Sequence, residues 1–369
     1  LYIKELKLVN FRNYQSLDIE FSPNINVFLG QNAQGKTNLL ESMYFLALTR
    51  SHRTSNDKDL INWQSEFARI SGLVVRDNRN SLSLDLAVSK SGKKARINNL
   101  EQKKLSSYIG NLNVVLFSPE DLSIVKGNPA IRRKFIDMEF GQISSQYLAA
   151  VTNFRKSLKQ RNAYLKKLQY QKNGDRVYLE VLSDQLAQFC AQVVYQRLIF
   201  LSKIQKFAQN IHSEISNQTE KLEFSYQTFF DPADKSLEEI YEIYKNKFQD
   251  NSQKEIDRGI TLYGPNRDDL LFLINQKNVQ DFGSQGQQRS VALSLKLAEV
   301  ELIKSEVGDY PILLLDDVLS ELDNVRQTHL LSSIGDNVQT FITTTSIDDI
   351  DRDLVKNPNI LNINQGTVS

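Results

Sequence analysis

Between Gly30 and Thr37 the chain reads GQNAQGKT, directly after the apolar run INVFL. This is the full G-x-x-x-x-G-K-T spacing of a phosphate-binding loop. The spacing constrains the fold as well as the ligand, because the loop needs a buried strand before it and a helix after it. Gly30 and Gly35 let the backbone turn, so that N–H groups along Gln31, Asn32, Ala33 and Gln34 converge on phosphate oxygens. Lys36 is placed to reach the β and γ phosphates, and Thr37 offers a hydroxyl to Mg²⁺. The positive end of the following helix points at the same anion. Leu39, Leu40, Met43, Tyr44, Leu46 and Ala47 predict an amphipathic helix there.

A second motif fits this site. PILLLDD at 311–317 is a short, almost wholly apolar run ending in acid. That is the pattern of a parallel strand buried on both faces. Asp316 at its end is expected to hold Mg²⁺ through water. Asp317 stands where a general base would orient the attacking water. An aspartate is one methylene shorter than the glutamate found there in many ATPases, which predicts slow turnover.

At 369 residues the chain exceeds one ordinary compact core. The first thirty residues read as two strands, the second ending in INVFLG. Residues 67–90 read as a hairpin turned by DNRN, and NVVLFSP as a further strand. The texture then becomes helical. Val151, Phe154, Leu158, Leu165 and Leu168 form one heptad-like seam. Beyond a KNGDR turn, Leu182, Leu186, Phe189, Val193, Phe200, Phe207 and Ile211 form another, which predicts two antiparallel helices. KLEFSY, ITLYGP and LLFLINQ read as strands, with an acidic helix near 237–248. The expected organisation is one α/β head built from 1–125 and 251–369, interrupted by a helical insertion at 126–250.

The net charge is +1, so any nucleic-acid face must be a local patch. Cys190 is the lone cysteine, which excludes an intrachain disulfide and favours a reducing, cytoplasmic setting. The N-terminal segment LYIKELKLVNF reads as a strand rather than an export signal. No apolar stretch approaches the roughly 20 residues that span a bilayer.

Beyond the phosphate loop, the motifs resemble those of the RecF family of ABC-type ATPases. They are NFRNY (10–14), GQNAQGKTNLLE (30–41), SHRT (51–54), FSPEDL (117–122), the PxxRRxFxD pattern (129–137), GPNRDD (264–269), SQGQQR (284–289) and LLLDDVLSELD (313–323). The resemblance implies an ATP-dependent homodimer on gapped or single-stranded DNA, bound without sequence preference. It also implies RecO and RecR as partners in RecA loading, with roles in DNA replication and the SOS response. In such ATPases the signature loop of one subunit caps the γ phosphate held by the other, so Ser284 would donate to it while Gly286 and Gln287 shape the loop. Capping of the helix that follows is compatible with that role. The chain departs from the ABC pattern at Gln285, which replaces a signature glycine, and at Ser118, which replaces a Q-loop glutamine. After the TFIT strand only Thr344 or Thr345 stands where many ABC ATPases carry histidine. Asn266 replaces the histidine frequent in RecF relatives.

Basic residues cluster at Arg50, His52 and Arg53, at Lys93, Lys94 and Arg96, at Arg132, Arg133 and Lys134, and along Arg155–Lys167. Such clusters predict salt-sensitive phosphate contacts. Charge reversal at Arg132 and Arg133 is expected to weaken DNA binding. Arg12 is expected near the nucleotide. The competing readings are a transporter ATPase subunit, a compact SMC-like ATPase and a non-hydrolysing nucleotide-binding scaffold. The long basic stretch between Thr37 and Ser284 disfavours the first.

Overall fold

The computed structural model describes residues 1–76, 80–170, 174–333, 338–347, 355 and 357–369. The first three residues of the DNRN turn and the first two of the KNGDR turn lie outside the described residues. The chain forms two compact units. The first comprises Leu1–Leu122, Asn210–Thr219 and Arg289–Ser369; the second comprises Ser123–Gln209 and Glu220–Gln288.

The first unit begins with strands β1 (Tyr2–Phe11), β2 (Tyr14–Glu20) and β3 (Ile25–Leu29) and helix α1 (Lys36–Leu48). It continues with β4 (Phe67–Val75), β5 (Leu82–Ser89), β6 (Gly92–Ile97), β7 (Leu100–Glu101) and β8 (Val114–Phe117). The chain then runs through α2 (Leu122–Lys126), α3 (Pro129–Ile143), α4 (Ser145–Tyr170), α5 (Arg176–Ile215), β9 (Leu222–Gln227), α6 (Leu237–Asp250), α7 (Ser252–Arg258), β10 (Asp269–Ile274), β11 (Lys277–Asn278) and α8 (Val279–Phe282). It returns through α9 (Gln285–Val307), β12 (Ile312–Asp316), α10 (Asn324–Ser333), β13 (Thr340–Thr344), β14 (Asn359–Asn364) and β15 (Thr367–Val368).

Two six-stranded sheets build the first unit. One has the order β2-β1-β4-β5-β6-β7 with antiparallel pairing throughout. The other has the order β15-β14-β3-β13-β12-β8 and is parallel from β14 to β8. Helix α1 packs on β4 and β5 of the first sheet and on β8, β12 and β13 of the second. That contact on two sides explains why α1 is buried from Leu39 to Leu48 on nearly every face. The amphipathic expectation for α1 is thus corrected. The first thirty residues also hold three strands rather than two, because NFRNY closes a tight β1–β2 hairpin with Arg12 at φ 54°. The side chain of Gln339 ties the sheets together: Ile3 N–H donates to it at 2.8 Å, and it donates back to Ile3 O at 2.9 Å.

The second unit is helical with a three-stranded sheet, β11-β10-β9. Helices α4 and α5 run antiparallel, as shown by Arg161 to Ser183 (2.9 Å) and Arg197 to Tyr147 (3.0 Å). Residues 251–288 pack with this unit, so the boundary expected at 251 moves to 289. The cause is a pair of buried ties. Arg161 meets Glu255 at 2.7 Å with both side chains fully buried, and Arg132 meets Asp269 at 2.7 Å. ITLYGP forms no strand. Its Thr261 and Leu262 N–H groups donate instead to Asn162 and Glu255 side chains.

Candidate functional site

The phosphate loop leaves β3, the strand between β13 and β14. Gln31, Asn32 and Ala33 form its exposed tip, with Ala33 at φ 65°. Gly35 sits at φ 117°, where a Cβ would lie 2.6 Å from Asn13 Nδ2 and 3.0 Å from the Tyr14 hydroxyl. That hydroxyl donates to Gly35 O at 3.0 Å, and Asn13 Nδ2 donates to Gln34 O at 3.2 Å. From the far end of the chain, Gln365 N–H donates to the Gln34 side chain at 2.8 Å and Gly366 N–H to Gln34 O at 3.1 Å. At Gly30 a Cβ would lie 2.4 Å from Ile363 O. The loop is therefore clamped by the β1–β2 hairpin on one side and the β14–β15 hairpin on the other. Gly35→Ala is expected to lower stability by about 1–3 kcal/mol, because it forces a strained backbone against a close neighbour. A thermal melt indistinguishable from the parent would contradict this.

Lys36 folds back onto the loop, donating to Gly30 O at 2.5 Å and Gln31 O at 3.1 Å. Burial pulls its ammonium below the ordinary lysine value, against the opposing pull of Asp317 and Asp316. Thr37 Oγ1 donates to Asp316 Oδ1 at 2.9 Å, joining motifs 279 residues apart. Thr343 Oγ1 donates to the same oxygen at 3.0 Å and accepts from Asp317 N–H at 2.9 Å. Burial raises the Asp316 carboxyl above its ordinary value, with the two threonine hydrogen bonds opposing and the charges of Asp317 and Glu120 adding to the rise. Asp317 lies at φ 56°, a conformation that aspartate tolerates better than most residues. The Thr37 hydroxyl and the two carboxylates are hard oxygen donors of the kind Mg²⁺ takes beside substrate phosphates.

Among the threonines of TFITTT, Thr343 touches Asp316; Thr344 donates to Ser346 O at 2.8 Å and Thr345 is exposed. Sequence reasoning missed Thr343: β13 is buried at every position, so no alternation of wet and dry residues marks it. Ser118 closes a capping box with Asp121 at the end of β8.

Arg12 makes a bidentate pair with Glu41 of α1 (2.8 and 2.9 Å) and donates to Asp59 O at 2.7 Å. Glu41 is fully buried. Burial would raise its carboxyl, but hydrogen bonds from Arg12 and Ser51 and the charges of Arg12 and Arg53 hold it below the ordinary range. Arg53 donates to Asn38 Oδ1 at 2.7 Å and reaches Glu41 at 3.4 Å.

In the second unit, Ser284 caps α9. Its N–H donates to Gln287 Oε1 at 2.8 Å, and its hydroxyl accepts from Gln287 N–H at 3.2 Å. Gln287 Nε2 donates to Glu220 at 2.8 Å. Ser284 is exposed, Gly286 is half-buried, and the first turn of α9 contains no acid.

Several basic residues differ from their expected role. Arg132 is buried, holds Asp269 with two hydrogen bonds and donates to Gly127 O. Arg133 donates to Asp268 O at 2.7 Å, Arg155 pairs with Asp137 at 2.8 Å, and Arg161 is fully buried. The motifs RRKFID and GPNRDD thus meet each other inside the second unit. The expected DNA contacts through Arg132 and Arg161 are corrected, since their guanidiniums neutralise interior carboxylates. Lys93 pairs with Asp57 at 2.8 Å and donates to Thr49 O at 2.9 Å. Arg50, Lys94 and Lys134 are exposed.

A family model described as the RecF/RecN/SMC N terminal domain matches residues 2–360. The DNA replication and repair protein RecF of Pediococcus pentosaceus is 56% identical over 370 residues, covering 100% of this chain and 98% of that protein. The chain belongs to the RecF family. RecF of Bacillus velezensis is 51% identical, with both chains covered in full. Among solved structures, one described as the recombination mediator protein RecF-ATP in the RecFOR pathway superposes with a TM-score of 0.92 at 33% identity, covering 100% of this chain and 97% of that one. An SMC head bound to the C-winged helix domain of ScpA shares the fold, with a TM-score of 0.52 at 14% identity, covering 100% and 97%. The RecF fold is thus that of an ABC-type ATPase head carrying an insertion. Among the described residues no helix is long and apolar enough to cross a membrane.

Proposed function

We propose that this protein is an ATP-dependent, dimerising DNA-binding protein of recombinational repair. It acts at gapped DNA with RecO- and RecR-type mediators to help load RecA, and it serves replication and the SOS response through the same activity. The observation that carries the reading is the 2.9 Å hydrogen bond from Thr37 to Asp316, which unites the phosphate loop with the acidic strand end. The RecF-ATP relative supports ATP as the ligand, and its description within the RecFOR pathway supports the mediators.

Gly30–Thr37 cradle the phosphates, Lys36 neutralises them, and Asp317 orients water. Thr37 and Asp316 hold Mg²⁺, which supplies charge compensation when bound. In the dimer, Ser284 of one protomer faces Lys36 of its twin across the γ phosphate. A ligand gripped by both protomers stabilises the dimer by its differential affinity for the paired state, and loss of the γ phosphate loosens it. With an aspartate at 317 and no histidine after β13, the site works as a weak, DNA-stimulated ATPase. Its basal turnover is expected below the typical enzyme rate of about 10 per second. Arg50, Arg53, Lys94 and Lys134 are exposed members of the basic clusters and make sequence-independent contacts to DNA phosphates.

Gel filtration with ATP, with ADP and without nucleotide tests the switch. The parent is expected to dimerise with ATP alone. Ser284→Arg should bind ATP normally and stay monomeric, because a bulky cation replaces the hydroxyl at the seam. A parent that remains monomeric with ATP at high protein concentration would falsify the dimer reading.

A further inference from the structure

Trp63 is the only tryptophan of the chain, and it is 100% exposed. An indole left wholly in water forfeits a large apolar burial, so its position calls for a reason. The turn that carries it is firmly held. Asn62 N–H donates to Asn10 O and Asn62 Nδ2 to Arg12 O, each at 2.8 Å. Gln64 N–H donates to Asn62 Oδ1 at 3.2 Å, and Ser65 N–H to Asn62 O at 2.9 Å.

The indole borders a cleft of about 540 Å³ that is also lined by Arg12, Asn13, Gln15, Asn38 and Arg53. Small-molecule sites typically occupy about 300–1,000 Å³. The cleft adjoins the phosphate loop through a continuous set of hydrogen bonds. Asn13 donates to Gln34 O at 3.2 Å, Asn38 donates to Asn13 Oδ1 at 2.8 Å, and Arg53 donates to Asn38 Oδ1 at 2.7 Å. Asn38 directly follows Thr37 in the first turn of α1.

We infer that Trp63 is the stacking platform for the base of the nucleotide whose phosphates the loop holds. The inference rests on the reading of Gly30–Thr37 as a nucleotide cradle and extends it to base recognition. A rigid, exposed indole offers a flat apolar face to a purine. The amide of Gln15 offers a donor and an acceptor to its edge, and the NH₂ groups of Asn13 and Asn38 each keep a second hydrogen beyond the bond they already donate. The shared chemistry is a nucleobase, and the occupant is that of the mononucleotide rather than of DNA, because the cleft begins at the first turn of α1.

With one tryptophan, intrinsic fluorescence reports this site alone. ATP and ADP with Mg²⁺ are expected to quench the emission saturably, whereas tripolyphosphate should bind by calorimetry and leave the emission unchanged. Trp63→Ala should weaken ATP about ten-fold or more, the scale of one base–aromatic stack, and leave tripolyphosphate affinity intact. Trp63→Phe should recover part of the loss. ATP binding by calorimetry with unmoved emission and unaltered Trp63→Ala affinity would overturn the inference and spare the cradle. Failure of both ATP and tripolyphosphate to bind would overturn the cradle and the inference with it. Quenching by oligothymidylate but not by ATP would assign the indole to DNA and reject the mononucleotide.

Discussion

Lys36→Ala is expected to weaken ATP binding by about 30-fold to several thousand-fold. This corresponds to the roughly 2–5 kcal/mol lost when one member of a buried, hydrogen-bonded charge pair is truncated. The ammonium is buried at the base of the loop and bonded to Gly30 O and Gln31 O. When phosphates enter, the same three donors can turn to them without the loop being rebuilt. Removing the charge leaves phosphate oxygens facing only loop N–H groups and the helix end. Calorimetric titration with ATP measures the loss directly. A thermal melt shows whether the variant keeps its fold, since Lys36 also ties the loop to itself. Nucleotide-dependent pairing and ATP-enhanced binding to gapped DNA should disappear together in this variant, while any ATP-independent DNA binding persists. Undiminished ATP affinity in a folded Lys36→Ala protein would remove Gly30–Thr37 from the nucleotide site.

Arg161→Ala is expected to destabilise the protein by about 3–5 kcal/mol, the range for breaking a buried ion pair. The guanidinium meets Glu255 at 2.7 Å, Thr261 Oγ1 at 2.8 Å and Ser183 Oγ at 2.9 Å, and lies 4.7 Å from the Phe248 ring centroid. Truncation leaves Glu255 charged and uncompensated in a dry interior. Replacing both partners, as in Arg161→Met with Glu255→Leu, should recover most of the loss, because no lone charge remains. Differential scanning calorimetry compares the three proteins. Below its melting temperature Arg161→Ala should bind DNA like the parent, whereas Arg50→Glu should bind more weakly with a shallower salt dependence. A single variant as stable as the parent would contradict the burial of this pair.

These two residues show what local sequence reveals. The phosphate loop and PILLLDD were legible because their chemistry lies in short, fixed spacings. The fate of a lone basic residue is set by whatever acid the fold brings to it. Arg132 and Asp269 are 137 positions apart, and Arg161 and Glu255 are 94 apart. Nothing near either arginine announces its partner. One signal was present: the first seam skips from Leu158 to Leu165, and Arg161 fills the missed turn, buried in line with Phe154 and Leu165. Helix α1 was misjudged for a related reason. Periodicity assumes one wet face, and α1 has a sheet on each side. ITLYGP has strand-like composition, but the side chains of Asn162 and Glu255 take its N–H groups.

The clamp around the phosphate loop has a consequence for how the protein is made. Both neighbours of β3 in its sheet, β13 and β14, come from the last tenth or so of the chain, and Gly366 supplies one of the hydrogen bonds to Gln34. A ribosome that has already delivered Lys36 must therefore go on through β13 and β14 before that lysine has a floor beneath it. A nascent chain carries the nucleotide motif early and acquires the pocket only once β13 and β14 have been made and paired with β3, so products truncated before β13 should be blind to ATP even though the motif is intact.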